Sequence, residues 1–261
     1  MIPVYIPTRG RVNRQITWDN LPPAVRRHTS IVCPPEELNA HMHAGRNAIT
    51  CPVEGISKKL QWIQDLAIVR KQNKIVCIHD DIWIKKRISL KDYHLRKATD
   101  DQIVEMFEEI DRKLDTYTSV GIRTRAMNHD SDPVGEEAAR QVILHGTLPF
   151  RLKELGIRYD AVNLMEDFHV TLSLLERGIP NYIIHTWCYQ ESPPGTAGGC
   201  ALYRTAENQR EAALKIQELH PKFVKAVNRP ARWGIGASMD VQIAWKKAYE
   251  SGLMSKRKKL V

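Results

Sequence analysis

A short apolar run that ends in two adjacent acids constrains this chain more than any other feature. Within the stretch Lys74–Ile84, β-branched residues predict a buried strand that delivers Asp80 and Asp81 to its C-terminal end, and an apolar segment resumes at Ile82. Paired carboxylates at such a position are costly to hold without a counter-charge. A divalent cation bound together with phosphate and water would supply that charge. The sequence leaves two interpretations open, a metal–diphosphate site and a solvated acidic turn.

The composition predicts a folded, basic protein. The chain has 261 residues, of which 43% are hydrophobic, so it can fill a core. No apolar run reaches the ~20 residues that a membrane span needs, so no membrane association is expected. The 5 cysteines are widely spaced without a Cys-x-x-Cys pair, which predicts neither a zinc knuckle nor a disulfide framework and favours a cytoplasmic location. The net charge of +9 favours a polyanionic partner.

Alternating strands and amphipathic helices dominate the first half of the chain. This β-α-β pattern predicts a mostly parallel sheet covered by helices. The predicted strands are 2–6, 30–33, 48–51, 74–78, 118–122, 159–164 and 182–187. The predicted helices are 12–21, 57–70, 98–114, 168–177, 205–219 and 239–249, with 136–144 left unassigned. We expect one domain over 1–225 and a C-terminal appendage with a basic tail over 226–261.

Several predicted loops carry residues that suit a phosphate ligand. Pro7–Arg11 follows the first strand and contains two arginines, which bind phosphate oxygens in pairs of hydrogen bonds. Gly55 and Ser57 open a helix, whose N-terminus favours anions. Glu36 follows the second strand and can accept from a base N–H or a ribose hydroxyl. A Gly-rich stretch at 193–199 can close over a ligand. Each of these segments also fits an ordinary solvated loop.

A second acid pair and a late histidine extend the candidate site. Glu166 and Asp167 stand where a helix is predicted to begin, and either carboxylate could deprotonate an acceptor hydroxyl. The alternative is a capping role toward free backbone N–H groups. His185 lies on a predicted strand, where it could join a metal or pack in the core.

In this order, the motifs resemble GT-A glycosyltransferases, and more closely the phage-type family of TET-associated glycosyltransferases, kin of the base J glucosyltransferase. The resemblance spans roughly residues 2 to 225. It is carried by Ile6-Pro7-Thr8-Arg9-Gly10-Arg11, Gly55–Ile63, His79-Asp80-Asp81, Met165–Leu172 and Gly198–Thr205. It implies a GT-A fold, which is a Rossmann-like, mostly parallel mixed sheet flanked by helices, here with a C-terminal helical appendage.

The resemblance also implies a divalent metal cofactor, Mn²⁺ or Mg²⁺. Asp81 would be the acid that joins the metal to the diphosphate, and His185 would complete the metal shell. His79 stands where the family's first acid is expected. Because imidazole binds Mn²⁺ better than Mg²⁺, this replacement favours Mn²⁺.

Roles for further residues follow from the same resemblance. Asp167 or Glu166 would be the acceptor-side base. The residues expected to line the nucleotide-sugar, by family analogy a UDP-sugar, are Pro7, Thr8, Arg9, Arg11, Glu36, Lys59, Asp80, Gly198 and Gly199. The residues expected to contact DNA are Arg123, Arg125, Asn128, Arg229 and Arg232.

The implied reaction is transfer of a sugar to 5-hydroxymethylpyrimidine bases in DNA, in the host cytoplasm if the chain is phage-encoded. Three alternatives stay open on the sequence. One is a glycosyltransferase that acts on polysaccharide or cell-envelope glycan. Another is a nucleotidyltransferase, which also needs paired acids and a metal. The last is a catalytically inactive nucleic-acid-binding module. The sequence leaves the oligomeric state open.

Overall fold

A computed structural model describes residues 1–89, 91–128, 134–139, 144–192, 198–199, 203–230 and 238–258. Across these ranges the chain forms one large mixed sheet with helices on its faces and a separate two-stranded sheet. The strands of the large sheet are β1 Val4–Pro7, β2 Thr29–Cys33, β3 Ala48–Thr50, β4 Ile75–Cys77, β5 Ile82–Ser89, β6 Asp92–Lys97, β7 Ser119–Thr124, β8 Gly135–Glu137, β9 Leu144–Thr147 and β10 Tyr182–Glu191. The second sheet contains β11 Val224–Arg229 and β12 Ser238–Ile243.

The helices are α1 Ile16–Asn20, α2 Pro23–Arg26, α3 Leu38–His43, α4 Ile56–Val69, α5 Asp100–Lys113, α6 Pro149–Glu154, α7 Glu166–Leu175, α8 Ala206–Leu219 and α9 Trp245–Lys258. No described helix is long and apolar enough to cross a bilayer.

The strand order of the large sheet is β3-β2-β1-β4-β9-β7-β10-β5-β6, with β8 paired to β10. Strands β1 to β4 pair in parallel, whereas β5, β8 and β9 pair antiparallel to their neighbours. This confirms the predicted α/β fold with a mostly parallel mixed sheet. Because β1 and β4 are parallel neighbours, the loops that follow them emerge at the same edge.

Two hydrophobic clusters hold the helices on the sheet. Helix α5 buries Ile103, Met106, Phe107 and Ile110 at helical spacing against one face, and a capping box at Thr99 starts it. Helices α4 and α7 cover the other face over β1 and β4, with the buried side chains Leu60, Ile63, Ala67, Val170 and Leu174. Complete burial of one such side chain contributes about 2 kcal/mol.

The C-terminal elements pack on α7 and α8. The rings of Phe168 and Trp245 meet edge to face with centroids 5.6 Å apart, which joins α7 to α9. A backbone crossing brings Gly252 against Gly178, where a Cβ on Gly252 would lie 2.3 Å from the backbone nitrogen of Gly178. The appendage is therefore seated on the helix that begins with the second acid pair.

Some sequence predictions are wrong in detail. The predicted strand 159–164 is a 3-10 turn over Tyr159–Ala161, because Tyr159 donates its N–H to the Gln61 side chain instead of to a strand. The first half of the predicted helix 239–249 is β12, which pairs with β11. The predicted helix 12–21 shrinks to α1, and the unassigned segment 136–144 supplies the end of β8 and the start of β9, with 140–143 outside the described residues.

Candidate active site

The candidate site lies where β1 and β4 end. Tyr5 on β1 is in register with Cys77 on β4, so the loop that begins at Thr8 and the segment His79-Asp80-Asp81 leave the sheet side by side. The carboxyl ends of neighbouring parallel strands are where open α/β sheets bind ligands. The fold thus brings together the first phosphate-binding loop and the first acid pair that the sequence predicted.

Arg11 joins this loop to the acid pair. Its Nη1 atom lies 2.5 Å from Oδ1 of Asp80 and 2.9 Å from Oδ2 of Asp81. Thr8 donates its hydroxyl to the second oxygen of Asp80. Burial raises the pKa of the Asp80 carboxyl, and Arg11 offsets that rise. Burial acts to lower the pKa of Arg11, but the two carboxylates outweigh it and raise that pKa. The chain itself thus supplies the counter-charge for its acid pair.

The acid pair offers a metal ion few free ligands. Both oxygens of Asp80 are engaged, whereas the Asp81 side chain is 15% exposed and shares one oxygen with Arg11. Burial lowers the pKa of His79 to about 4, so its imidazole is neutral near pH 7. Within the described residues, no group of three or more His, Cys, Asp or Glu side chains is placed to hold a metal. A divalent cation at this edge would have Asp81 as its carboxylate ligand, with His79 close by, and would need diphosphate and water for its other positions.

The structure does not bring His185 to this pair, which corrects its predicted metal role. Its side chain is fully buried on β10, with Nε2 4.0 Å from Oε2 of Glu136. The N–H of Ser192, just beyond β10, bonds the carbonyl of Asp81. Ser192 therefore marks the position of Asp81 at the end of β10. Cys188 lies four extended residues before Ser192, or about 13 Å at ~3.3 Å per residue. His185 precedes Cys188 across the bulge after Ile184, so it lies well away from the acid pair.

Three further predicted donor-binding residues line the same edge. The buried Lys59 donates from Nζ to the carbonyl of Thr8 at 2.7 Å, and burial lowers the pKa of this amine. Arg9 pairs with Glu54 at 2.9 Å, and Pro7 closes β1 below it. These contacts hold three cations, Lys59, Arg9 and Arg11, around the end of β1.

Glu37, the neighbour of the predicted Glu36 in the same acidic segment, is the acid that contacts the loop. Its Oε1 accepts the N–H of Gly10 at 2.6 Å, whereas Glu36 is exposed. Both acids lie on the 3-10 turn after β2. The geometry of this turn, which local sequence does not reveal, places Glu37 instead of Glu36 against the loop.

Gly198 and Gly199 lie directly on Arg11. Gly199 donates its N–H to the carbonyl of Arg9 at 2.8 Å, and Nη2 of Arg11 reaches the carbonyl of Gly198 at 3.4 Å. Both glycines have positive φ, +88° and +59°. A Cβ on Gly198 would lie 2.6 Å from Cγ of Arg11, so the close approach requires glycine as well. Residues 193–197 and 200–202 lie outside the described residues.

The second acid pair begins α7. Glu166 is buried, and Ser57 donates its hydroxyl to Oε2 of Glu166 at 3.2 Å. Burial raises the pKa of Glu166, and the Ser57 hydrogen bond opposes that rise. Asp167 is only partly buried, so it is the better candidate for a base. Met165 before them has the left-handed conformation, φ +61°, which bulky residues rarely adopt.

Three neighbours were not assigned roles from the sequence. The Tyr203 hydroxyl accepts the N–H of Ile56 at 2.9 Å, at the start of α4. Arg204 lies close enough to affect the pKa values of both His79 and Glu166. His145 on β9 stacks on Tyr159 at 5.6 Å, and burial lowers its pKa to about 3. Tyr203 and Arg204 stand in a motif that carried the resemblance, whereas nothing in the sequence singled out His145.

The predicted DNA-contacting residues are spread over different environments. Arg125 is exposed, and Arg123 pairs with Glu136 at 3.1 Å near the surface. Asn128 is fully buried, and its amide donates to the carbonyls of His185 and Trp187, so its side chain does not reach the surface to contact DNA. Arg229 ends β11, away from the large sheet, and Arg232 lies outside the described residues.

Comparisons with solved structures find weak likenesses. A mannose-1-phosphate geranyltransferase from Thermus thermophilus is 9% identical, with a TM-score of 0.43 over 72% of this chain and 75% of that one. A chain described as a nucleotide-diphospho-sugar transferase from Desulfovibrio desulfuricans is 11% identical, with a TM-score of 0.42 over 70% and 80%. GalNAc-T7 with UDP, GalNAc and Mn²⁺ is 9% identical, with a TM-score of 0.46 over 84% and 48%.

A search among curated proteins found no match. The sequence model of the TET-associated glycosyltransferases, in contrast, matches residues 2–192, which include β1 to β10, Arg11, both acid pairs and α7. The chain therefore belongs to the TET-associated glycosyltransferase family and is a glycosyltransferase with an α/β fold.

Proposed function

We propose that this enzyme transfers a sugar from a nucleotide-sugar, such as a UDP-sugar, to the hydroxymethyl group of 5-hydroxymethylpyrimidines in DNA. The observation that carries the donor half is the meeting of Arg11 with Asp80 and Asp81 at the end of β1 and β4. A cation beside paired acids, at an edge that binds nucleotides in related folds, suits a diphosphate and its metal.

The donor would lie along the cations of this edge. Arg9 and Arg11 would contact the diphosphate, and buried Lys59 would hold the Thr8 carbonyl that shapes the loop. A divalent cation at Asp81, Mn²⁺ or Mg²⁺, would neutralise charge that develops on the departing diphosphate. The fixed guanidinium groups supply the same electrostatic stabilisation without reorganising.

The acceptor hydroxyl would approach the start of α7. Asp167 is the candidate base because it is partly exposed, while Glu166 is buried and bonded by Ser57. In this arrangement Glu166 positions α7 against α4, and Asp167 takes the proton from the hydroxymethyl group.

A DNA acceptor is supported by family membership and by charge. The chain carries 39 Lys and Arg against 30 Asp and Glu. Cationic surfaces bind the phosphate backbone without regard to sequence. A base inside a duplex is usually extruded before an enzyme modifies it.

The test is to incubate the protein with Mn²⁺, a panel of nucleotide-sugars and DNA containing 5-hydroxymethylcytosine or 5-hydroxymethyluracil. The digested nucleosides are then weighed. We expect one hydroxymethylated nucleoside to gain the mass of one sugar with one donor. If no donor changes the mass of either nucleoside, the proposed acceptor is wrong.

A further inference from the structure

A strongly basic hairpin lies at the edge of the large sheet. Strands β5 and β6 pair antiparallel, and their register places Lys85 opposite Lys97 and Lys86 opposite Arg96. Like charges directly opposite each other destabilise a strand pair. Two such pairs in succession therefore cost free energy in the protein alone, and a bound polyanion would recover it.

The two like-charged pairs differ in how they are neutralised. Lys86 bonds Glu105 at 2.5 Å and lies over the ring of Trp187 at 5.0 Å. Lys85 and Lys97, in contrast, form no ion pair with any described residue, and Lys97 is exposed. Within the described part of the chain, the pair Lys85–Lys97 is thus the one without a counter-charge.

Further cations join this pair across the sheet. The register runs from Lys97 on β6 to Lys85 on β5, then to Cys188 on β10 and Arg123 on β7. Three strand spacings of ~4.8 Å make this row about 14 Å long, a length over which duplex DNA carries about eight phosphate charges.

One more cation lies beside the row, because Arg125 follows Thr124, which is in register with Tyr189, the residue after Cys188. Burial raises the pKa of the Cys188 thiol to about 12, and the charges of Lys85, Arg125 and Arg87 oppose that rise. Arg125 is exposed and forms no ion pair with any described residue. We name Lys85, Lys97, Arg125 and Arg123, the last of which is also paired with Glu136, the cationic face.

The cationic face continues directly from the acid pair. Strand β5 begins one residue after Asp81, so Lys85 lies four residues, or about 13 Å, from that acid. Alternation along β5 turns Ile82 and Ile84 into the core under α5 and directs Trp83 and Lys85 to the opposite face. Trp83, which is partly exposed, therefore stands between Asp81 and the cations.

We infer that the cationic face binds the phosphate backbone of duplex DNA and holds the duplex beside Asp81 during transfer. This inference rests on the proposed function for its acceptor. It assigns the main duplex contact to the β5–β6 edge, whereas the predicted contact at Arg229 lies on the separate β11–β12 sheet.

The experiment compares two triple variants that remove the same charge. The test variant is Lys85→Gln/Lys97→Gln/Arg125→Gln, and the control variant, on exposed positions elsewhere, is Lys153→Gln/Lys222→Gln/Lys246→Gln. Binding of a labelled duplex with 5-hydroxymethylcytosine is followed by fluorescence anisotropy at several salt concentrations. A thermal melt of each variant checks that it is folded.

We expect the test variant to lose at least tenfold in duplex affinity, while the control stays within about threefold of wild type. The slope of log affinity against log salt should become shallower by about 2 to 3, because each phosphate contact contributes ~0.9. The kcat/KM for duplex should fall at least tenfold further than that for the free hydroxymethylated nucleoside.

Two results would overturn the inference while leaving the proposed function in place. In one, the test variant modifies and binds duplex as wild type does, with the same salt slope. In the other, the control variant loses as much duplex affinity as the test variant, which would mean that only net charge matters. If wild type releases nucleoside diphosphate from its donor but neither binds nor modifies duplex, the proposed function and this inference both fail.

Discussion

Nη1 of Arg11 lies 2.5 Å from Oδ1 of Asp80, and both side chains are more than nine-tenths buried. The same guanidinium contacts Asp81, and Gly198 and Gly199 cover it from above. This ion pair joins the loop after β1 to the loop after β4 before any ligand binds. The donor site is therefore shaped in advance by a cation that the chain carries itself.

Breaking the pair from one side should be costlier than removing both partners. Arg11→Met leaves Asp80 buried beside Thr8 without its counter-charge, and we expect the free energy of unfolding to fall by about 3 kcal/mol. Arg11→Met/Asp80→Asn should recover at least half of that loss. Urea unfolding of the single and double variants measures both effects. Arg14→Met, which loses one 3.3 Å contact with Ser192, serves as the control. Strictly additive losses would contradict the coupling.

Gly198 should be required for donor binding, whereas Gly45, another glycine with positive φ, should not be. Gly198→Ala adds a Cβ 2.6 Å from Cγ of Arg11 and 3.0 Å from the carbonyl oxygen of Arg9. Gly45→Ala has a similar φ, +73°, but meets nothing within 4 Å. Both variants should lose about 1 to 2 kcal/mol of stability from the backbone strain. Only Gly198→Ala should lose tenfold or more in affinity for the nucleoside diphosphate by calorimetry, and equal affinities in the two variants would refute this role.

Trp83 should matter more for duplex than for a free nucleoside. Its place between Asp81 and Lys85 suits stacking on a nucleobase, which is worth about 1 to 3 kcal/mol per base. Trp83→Leu should lower kcat/KM for duplex by about tenfold and should lower kcat/KM for the free nucleoside by less. Trp62→Leu, at a partly exposed position on α4, is the matched control and should leave this ratio unchanged. If Trp83→Leu lowers kcat/KM by the same factor for both substrates, Trp83 does not stack on a base of the duplex.

The buried histidines should make the fold sensitive to acid. Burial lowers the pKa of His145 to about 3, from 6.5 in an ordinary environment. Since the unfolded chain then binds more protons, stability is complete above about pH 6.5 and falls as the pH drops toward 3. His145→Phe keeps the stack on Tyr159 and should be about 2 kcal/mol more stable at pH 5, relative to pH 7.5, than wild type.

Urea unfolding at pH 5 and pH 7.5 measures this difference. His28→Gln, at an exposed position, is the control variant. If His145→Phe loses stability with acid as steeply as wild type, His145 does not contribute to the pH dependence.

The strands and helices that carry the site could be predicted because their signals are local. The apolar run before Asp80 and the helical spacing in α4 and α5 are confirmed within two or three residues. The hairpin β5–β6 was missed because Lys85, Lys86 and Arg87 are poor strand formers by propensity, and pairing and burial override that tendency.

Long-range relationships were not predictable from local patterns. Arg11 and Asp80 are 69 residues apart, and no periodicity connects them. The strand that carries His185 was predicted, but the bulge after Ile184 and the bonds from Arg87 and Asn128 place this histidine in the core instead of at the acid pair. The interval 239–249 combines a strand and a helix, which a short apolar pattern cannot separate.

Donor cleavage at the Arg11–Asp81 edge should be coupled to glycosylation of DNA. The direct measurement quantifies nucleoside diphosphate and glycosylated nucleoside in one reaction on hydroxymethylated duplex, with wild type and with Asp81→Asn. We expect equal amounts of the two products with wild type, and a loss of at least about 100-fold in both with Asp81→Asn while the fold is retained. Release of pyrophosphate, or diphosphate release with no sugar on the DNA, would contradict it.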